Sequence, residues 1–502
     1  MVLGMNHPLT AGRTLVRGAM WNLLGQSLPV AAAFLFVPLL VRGLGIERFG
    51  ILSLAWMLIG YFSLFDLGLG GALTRMVADR LAARREDEVP ALVWTSLALT
   101  IAMGLVGTVT LASLAPWLVR DVLRIPVELR PETQGLVEVL ALSLPLVTCT
   151  AALSGALAAQ QRFGILNAIR IPMGVFTYGG PLLALAFSRS LLPVAIVLAI
   201  GRLVAGLVHL AACLATTPGL RRSVRVERRL FRPLASFGGW MTVTSAVGPM
   251  MVYMDRFFIG GMLSMAMVAY YTTPYDLTSR MWILSTPIVG VLFPAFAACS
   301  RSDPPRAVRL FDWGLRVVAL LLFPAALLLS TFAAEILRYW LGPEFAAHSA
   351  PVLRMLAVGM FVNGMAQVAL ALVQGSGRPD LGARLHAAEL PLYVLAVWLL
   401  VHGRGIEGAA IAWLGRVTLD AVALFLMAAR RLPMGLGLLR RPALTIGAGV
   451  GALLVGCLIP GFVARAIFAA AILLGTATAG WFQVVVPGRQ ALRELRPAGS
   501  AG

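Results

Sequence analysis

Residues 91–118 read ALVWTSLALTIAMGLVGTVTLASLAPWL and contain no charged side chain. A helix of about 20 apolar residues is long enough to cross the hydrocarbon core of a bilayer. Similar stretches recur along the whole chain, because 59% of its 502 residues are hydrophobic and only 13% are charged. Soluble proteins carry about 25% charged residues. We therefore expect an all-α, polytopic membrane protein with about 14 transmembrane helices.

The arginines predict how the chain is oriented in the membrane. All 41 basic residues are Arg. With the amino terminus in the cytoplasm, 26 of them fall in cytoplasmic segments, 9 in outer segments and six inside apolar runs. Short cytoplasmic loops carry an excess of basic residues in membrane proteins. We expect a bacterial inner-membrane protein with both termini cytoplasmic. The net charge of +19 then reflects orientation, and no nucleic-acid partner is expected.

A weak internal repeat predicts the domain organisation. Trp21 and Trp240 begin the first and seventh predicted spans at a separation of 219 residues, and residues 139–141 align with 355–357 at 216. Parallel repeats of this kind are typical of transporters. We expect two pseudo-symmetric six-helix lobes plus two extra helices. The predicted divisions are an N-terminal lobe at 1–217, a basic cytoplasmic linker at 218–234, a C-terminal lobe at 235–431, and two further helices with a cytoplasmic tail at 432–502.

Charged residues inside the apolar runs are the candidates for function. An unpaired Arg at the bilayer centre costs about 2.5–3.5 kcal/mol, so each such Arg needs an acid, a polar interface or a wet cavity. Three acid–base pairs stand one helical turn apart and share a helix face; they are Asp276 with Arg280, Asp312 with Arg316, and Asp420 with Arg416. Asp255 and Arg256 are neighbours and point about 100° apart, so they face different partners.

Several of these charges have a purely structural interpretation. Arg316 lies near a cytoplasmic helix end, where a long side chain reaches the interface. Arg416 with Asp420 is equally compatible with a neutralised structural pair and with function. His209 shares a face with Arg202 and is expected to be a packed core residue, while Glu389 is considered as a protonation site. The four cysteines are far apart and no Walker motif occurs, so we expect neither metal nor cofactor nor ATP hydrolysis.

Five motifs, in order along nearly the whole chain, resemble the polysaccharide-type flippases of the multidrug/oligosaccharidyl-lipid/polysaccharide exporter superfamily. They are PLLVRGLGIERFGILSLA (38–55), YFSLFDLGLGGALTR (61–75), YMDRFFIGG (253–261), YWLGPEF (339–345) and QGSGRPDL (374–381). The resemblance implies two six-helix lobes around a central cavity and alternating access. It also implies that the cargo is a polyprenyl-diphosphate-linked oligosaccharide.

The resemblance places the seventh and eighth spans around that cavity. Arg256 and Arg280 are then expected to meet the diphosphate, because Arg offers a planar fork to phosphate oxygens, with Asp276 orienting Arg280. Pro274 departs from the family pattern and is expected to kink or unwind the eighth span, 269–297. The full set of cavity candidates is Arg256, Arg280, Asp276, Asp255, Arg202, Arg416, Asp420, Asp66 and Arg75.

Two other functions compete with the flippase. A cation-coupled multidrug or small-molecule antiporter of the same superfamily would favour carboxylates in the cavity, which here are at least balanced by Arg. A membrane glycosyltransferase or polymerase needs a sizeable outer domain, and the longest predicted outer segments are 119–133 and 335–349. We therefore expect a transporter and no enzyme. Its expected partners are the lipid-linked glycan, the bilayer, H⁺ or Na⁺ as coupling ion, and polysaccharide assembly proteins.

Overall fold

A computed structural model describes residues 12–61, 68–217, 219–300, 302–432, 437 and 439–480, with side chains from residue 27 onward except at 60–61 and 235–250. Within these ranges the chain is helical and has no strand. The α-helices are α1 (Gly12–Leu44), α2 (Ile46–Tyr61), α3 (Leu69–Ala82), α4 (Val89–Trp117), α5 (Arg130–Leu142), α6 (Leu144–Ala159), α7 (Phe163–Leu185), α8 (Leu191–Thr216), α9 (Arg228–Met262), α10 (Met265–Ser279), α11 (Trp282–Cys299), α12 (Pro304–Thr331), α13 (Ala333–Leu341), α14 (Pro343–Gly375), α15 (Pro379–Ala429), α16 (Arg440–Leu458) and α17 (Phe462–Gly480).

The helices agree with the predicted membrane protein. In the described part of the chain, 11 helical stretches are long and apolar enough to cross a bilayer. One of them, α15, covers the eleventh and twelfth predicted spans. The second predicted span overlaps α2 and α3, and the seventh overlaps α9. The protein is an all-helical, multi-pass membrane protein, and the count of fourteen spans stays a prediction.

The chain forms two compact units, Met1–Ala269 and Tyr270–Gly502. The division lies inside α10 and not in the basic linker at 218–234. In the first unit, α9 lies against α2, α3 and α4, which explains why the first helix of the predicted second lobe groups with the N-terminal helices. The predicted lobe boundaries themselves stay a prediction.

The basic linker is held against α4 in the first unit. The indole Nε1 of Trp94 donates to the carbonyl oxygen of Leu220 at 3.0 Å. The backbone N–H of Glu227 donates to the hydroxyl of the buried Thr95, also at 3.0 Å. Because both bonds reach residues on α4, the segment between them is tied to the helix at each end.

The eighth predicted span is broken, but not at Pro274. Helix α10 runs through Pro274 to Ser279, and Arg280 with Met281 separates it from α11. A proline has no N–H to donate to the carbonyl four residues earlier, here that of Tyr270. The buried hydroxyl of Ser349 on α14 donates to this carbonyl at 2.7 Å. Neighbouring Ser and Thr side chains commonly satisfy such freed groups in membranes, so the helix continues past the proline.

Helix α15 is a helical hairpin. Gly405 has φ 60° and ψ −138°, which only glycine adopts readily, and it separates a first arm, 379–404, from a second arm, 406–429. At Gly408 an added Cβ would overlap the backbone carbonyl of Leu400. The reversal is therefore tight enough to require glycine at both positions, and it brings the two arms side by side.

Candidate functional site

Asp255 and Arg256 lie near the end of α9 and are almost completely buried, with 0% and 2% of their surface exposed. The backbone N–H of Arg256 donates to Asp255 Oδ1 at 2.8 Å. The guanidinium carbon of Arg256 lies 5.0 Å from the ring centre of Tyr253, a distance at which a cation and an aromatic face attract. The aromatic face therefore compensates part of the buried charge of the guanidinium.

Asp276 and Arg280 lie at the carboxyl end of α10, and both are half-buried. Arg280 is the first residue after the helix, in the break before α11. The side chain of Arg280 therefore does not belong to the regular surface of either α10 or α11. Of the two arginines predicted to meet a diphosphate, Arg280 is thus the more exposed, and Arg256 is enclosed.

Four charged or titratable side chains meet between the arms of α15, and we call them the charged tetrad: His386, Glu389, Arg416 and Asp420. Arg416 Nη1 lies 3.9 Å from Glu389 Oε2, and His386 Nε2 lies 3.3 Å from Asp420 Oδ1. Arg416 also lies over the ring of Tyr393, at 5.3 Å from its centre. The predicted face-sharing pair of Arg416 with Asp420 is replaced by two contacts across the hairpin.

Arg75 and Arg202, two further predicted site residues, lie in the first unit. Arg75 and Asp79 on α3 approach to 4.0 Å with side chains 67% and 70% exposed, which describes a surface pair. Arg202 on α8 is half-buried. His209 is buried with Nδ1 2.8 Å from the carbonyl oxygen of Ala205, as expected of a packed core residue. Asp66 lies outside the described residues.

The predicted pair of Asp312 and Arg316 is confirmed. Arg316 Nη2 donates to Asp312 Oδ2 at 2.5 Å, and Arg441 Nη1 lies 3.4 Å from the same oxygen. Arg316 also borders an apolar cavity of about 350 Å³ in the second unit. The cavity lies among α12, α14, α16 and α17, and its apolar lining includes Leu320, Phe323, Phe361 and Ile472.

His386 was missed by the sequence reasoning, and Glu389 was considered only alone. The available signal was the spacing of two pairs: His386 and Glu389 are three residues apart, and Arg416 and Asp420 are four residues apart. This spacing becomes informative only when the chain is known to reverse at Gly405, because the reversal places Glu389 opposite Arg416 and His386 opposite Asp420. Among the described residues, no group of three or more His, Cys, Asp or Glu side chains has the geometry of a metal site.

Comparison with known proteins finds one matching family and similar proteins that cover much of the chain. Residues 15–300 match the family described as "Polysaccharide biosynthesis protein". A "Putative O-antigen transporter" of Shigella flexneri is 28% identical over 420 residues, which is 82% of this chain and 97% of that protein. A "Probable low-salt glycan biosynthesis flippase Agl15" of Haloferax volcanii is 25% identical over 182 residues, covering 36% of this chain and 38% of that protein.

Solved structures share the fold. The "Lipid II flippase MurJ, inward closed conformation" has a TM-score of 0.71 at 10% identity and covers 94% of this chain and 100% of that one. An inward-facing multidrug resistance MATE family transporter of the MOP superfamily has a TM-score of 0.67 at 16% identity, covering 81% of this chain and 94% of that one. The fold is that of the MOP superfamily, and since the family match spans more than half of the sequence, the chain belongs to the polysaccharide biosynthesis protein family.

Proposed function

We propose that this protein moves a polyprenyl-diphosphate-linked oligosaccharide from the cytoplasmic to the outer leaflet of a bacterial inner membrane by alternating access. The observation that carries the proposal is the match to the Shigella flexneri protein, which extends over 97% of that transporter. The archaeal relative, whose name also describes a glycan flippase, supports the same class of cargo. Polysaccharide assembly proteins are the expected partners on the membrane.

Arg280 is the residue we assign to the diphosphate. It is half-buried, it follows the end of α10, and a guanidinium can bind two phosphate oxygens at once. Asp276, one helical turn earlier, would orient it. Arg256 is too enclosed for direct contact in this conformation, so its proposed part is to hold the end of α9 through Tyr253.

The apolar cavity beside Arg316 supports a cargo with a long hydrocarbon tail. Its lining is dominated by Leu, Ile, Phe, Ala and Gly, and one edge carries a guanidinium.

Deleting the gene tests the function in cells. We expect surface glycan to be lost while lipid-linked repeat units accumulate on the cytoplasmic side, because glycan synthesis continues without export. Lipid extraction and surface staining measure the two pools. Unchanged surface glycan together with new drug sensitivity would contradict the proposal and favour a multidrug antiporter.

Substituting Arg280 tests the site. Arg280→Ala should abolish glycan export while the protein still accumulates in the membrane. Arg280→Lys should restore export only in part, since a point charge replaces a fork. Arg338→Ala, at an exposed arginine on α13, is the control and should export normally. Wild-type surface glycan in both Arg280 variants at normal expression would rule out this assignment.

A further inference from the structure

The charged tetrad is buried where charge is expensive. The side chains of Asp420, Glu389 and Arg416 are 4%, 10% and 13% exposed, and that of His386 is 33% exposed. Within the described chain, neither oxygen of Glu389 accepts a hydrogen bond, and Arg416 Nε makes none. Arg416 Nη1, at 3.9 Å, is too far from Glu389 for a hydrogen bond. Glu389 is therefore a buried carboxyl group without the hydrogen bonds that normally compensate an ionised one.

The charges of the tetrad do not balance unless a proton is bound. With His386 neutral, two carboxylates face one guanidinium, which leaves one negative charge. A net charge in an apolar interior is strongly unfavourable, and titratable groups in such sites respond by taking up or releasing a proton. One proton makes the tetrad neutral. Because the four groups interact closely, the affinity of any one of them for that proton depends on the other three.

Among the described residues, the helices that contact α15 bring no further charge to bear on Glu389. Helix α14 packs along α15 and has no ionisable side chain between Arg354 and Arg378. From α10, Tyr275 meets Trp413 edge-on, with ring centres 5.8 Å apart. From α12, Phe311 meets Phe425, and the adjacent Asp312 is paired with Arg316 and Arg441. The charges that act on Glu389 are those of Asp420, Arg416 and His386.

Arg416 has two carboxylates within its reach. Glu389 lies across the hairpin, and Asp420 lies one turn further along the same arm, at the spacing that brings side chains together on a helix face. When Glu389 is ionised, Arg416 is attracted across the hairpin, as the structure has it. When Glu389 gains a proton, the attraction across the hairpin is lost and Asp420 becomes the remaining anionic partner. Protonation of Glu389 thus changes the carboxylate that attracts the Arg416 guanidinium, from Glu389 on the first arm to Asp420 on the second.

We propose that the charged tetrad is a proton-binding site in which the Glu389 carboxylate takes up one proton from water and releases it again, with Arg416 moving between Glu389 and Asp420. In the proposed transport cycle, which this part of the inference rests on, the bound proton couples a pH difference across the membrane to cargo movement. No other bond is made or broken, and His386, the most exposed member, provides the route for the proton.

Infrared titration of the purified, full-length chain tests proton binding without any cargo. We expect the carbonyl stretch of a protonated carboxyl group to appear as the pH is lowered and to disappear as the pH is raised. Glu389→Gln should remove that band. Asp420→Asn should also remove it, because one carboxylate and one guanidinium are neutral without a proton. Glu407→Gln, at an exposed carboxylate on the second arm, is the matched control and should keep it.

The two substitutions at the tetrad make the result independent of whether one variant fails to fold. A titrating band that persists in either folded variant overturns the proposal, as does a wild-type spectrum without such a band.

Transport in vesicles tests the coupling. For one proton per cargo, each unit of pH difference changes the limiting cargo distribution about tenfold. We expect that dependence in the wild type and in Glu407→Gln, and we expect it to fall to about onefold in Glu389→Gln. An unchanged dependence in Glu389→Gln overturns the coupling. Since the infrared measurement needs no cargo, a failure of the proposed flippase function would leave the proton site standing, and the two failures are distinguishable.

Discussion

Single polar side chains compensate backbone defects in this protein. The clearest instance is Ser349, which donates to the Tyr270 carbonyl that Pro274 leaves without its helical partner. Ser349 lies on α14 and is completely buried. The hydroxyl therefore donates to a residue 79 positions away, and its contribution to the stability of the fold depends on the presence of Pro274.

The pairing of Ser349 with Pro274 predicts a non-additive pair of substitutions. Ser349→Ala should lower the free energy of unfolding by about 2 kcal/mol, because a buried carbonyl loses its donor. In a Pro274→Ala background, residue 274 regains its own N–H, and the same change should cost less than about 0.5 kcal/mol. Thermal unfolding in detergent measures both. Thr418→Ala, whose exposed hydroxyl bonds within its own helix, is the control. Equal costs in the two backgrounds would contradict this account.

At the scale of elements, the hairpin α15 shows how glycine sets the geometry of a helix reversal. Gly405 supplies the left-handed backbone at the reversal, and Gly408 lets the second arm begin directly beside Leu400. Since the turn fixes which residues of the two arms face each other, the contacts of the charged tetrad depend on it. A looser turn would change the register of the arms.

Gly408→Ala should destabilise the hairpin, whereas Gly403→Ala should not. The new methyl group at 408 overlaps the backbone carbonyl of Leu400, and backbone atoms cannot move aside as a side chain can, so we expect a loss of about 3 kcal/mol. A methyl group at 403 has open space around it and should change stability by less than about 0.5 kcal/mol. Detergent unfolding of the two variants measures the difference, and equal stabilities would refute the tight reversal.

For the whole molecule, the distribution of arginines predicts the orientation in the membrane. Two of the nine arginines predicted outside are neutralised locally. Arg48 binds both carboxylate oxygens of Glu132 at 3.1 and 3.0 Å, and Arg465 is paired with Glu335. Arg221, Arg222 and Arg225 in the linker are exposed. Cytoplasmic arginines are paired as well, among them Arg80 with Glu88 and Arg378 with Asp380, so the predicted orientation rests on the number of arginines on each side.

Reporter fusions test this orientation. A fusion ending at residue 225 should report from the cytoplasm, and one ending at residue 342 should report from the outside, because an odd number of predicted spans separates the two positions. Alkaline phosphatase and a fluorescent protein, active on opposite sides, measure the two locations. An outside signal at 225 or an inside signal at 342 would show that the number of spans or the orientation is wrong.

Apolar length and charge were enough to predict the helices, and they were insufficient wherever the outcome depends on a distant residue. The stretch at 91–118 is part of α4, Val89–Trp117, as expected because more than twenty consecutive apolar residues are long enough to cross a bilayer as a helix. That α10 continues through Pro274 could not be predicted, because Ser349, which donates to the freed carbonyl, lies on another helix. Likewise, the partner of Arg416 was assigned along its own helix, whereas the tight turn at Gly405 brings Glu389 closer.

The two hydrogen bonds that tie the linker to α4 have a consequence for fragment experiments. Leu220 and Glu227 flank the exposed Arg225, and each is bonded to a residue on α4. A protease cut after Arg225 would leave both new ends anchored to the same helix. The nicked protein would therefore run as two bands on a denaturing gel and yet purify as one particle, and intact migration alone is a poor guide to whether this loop has been cleaved.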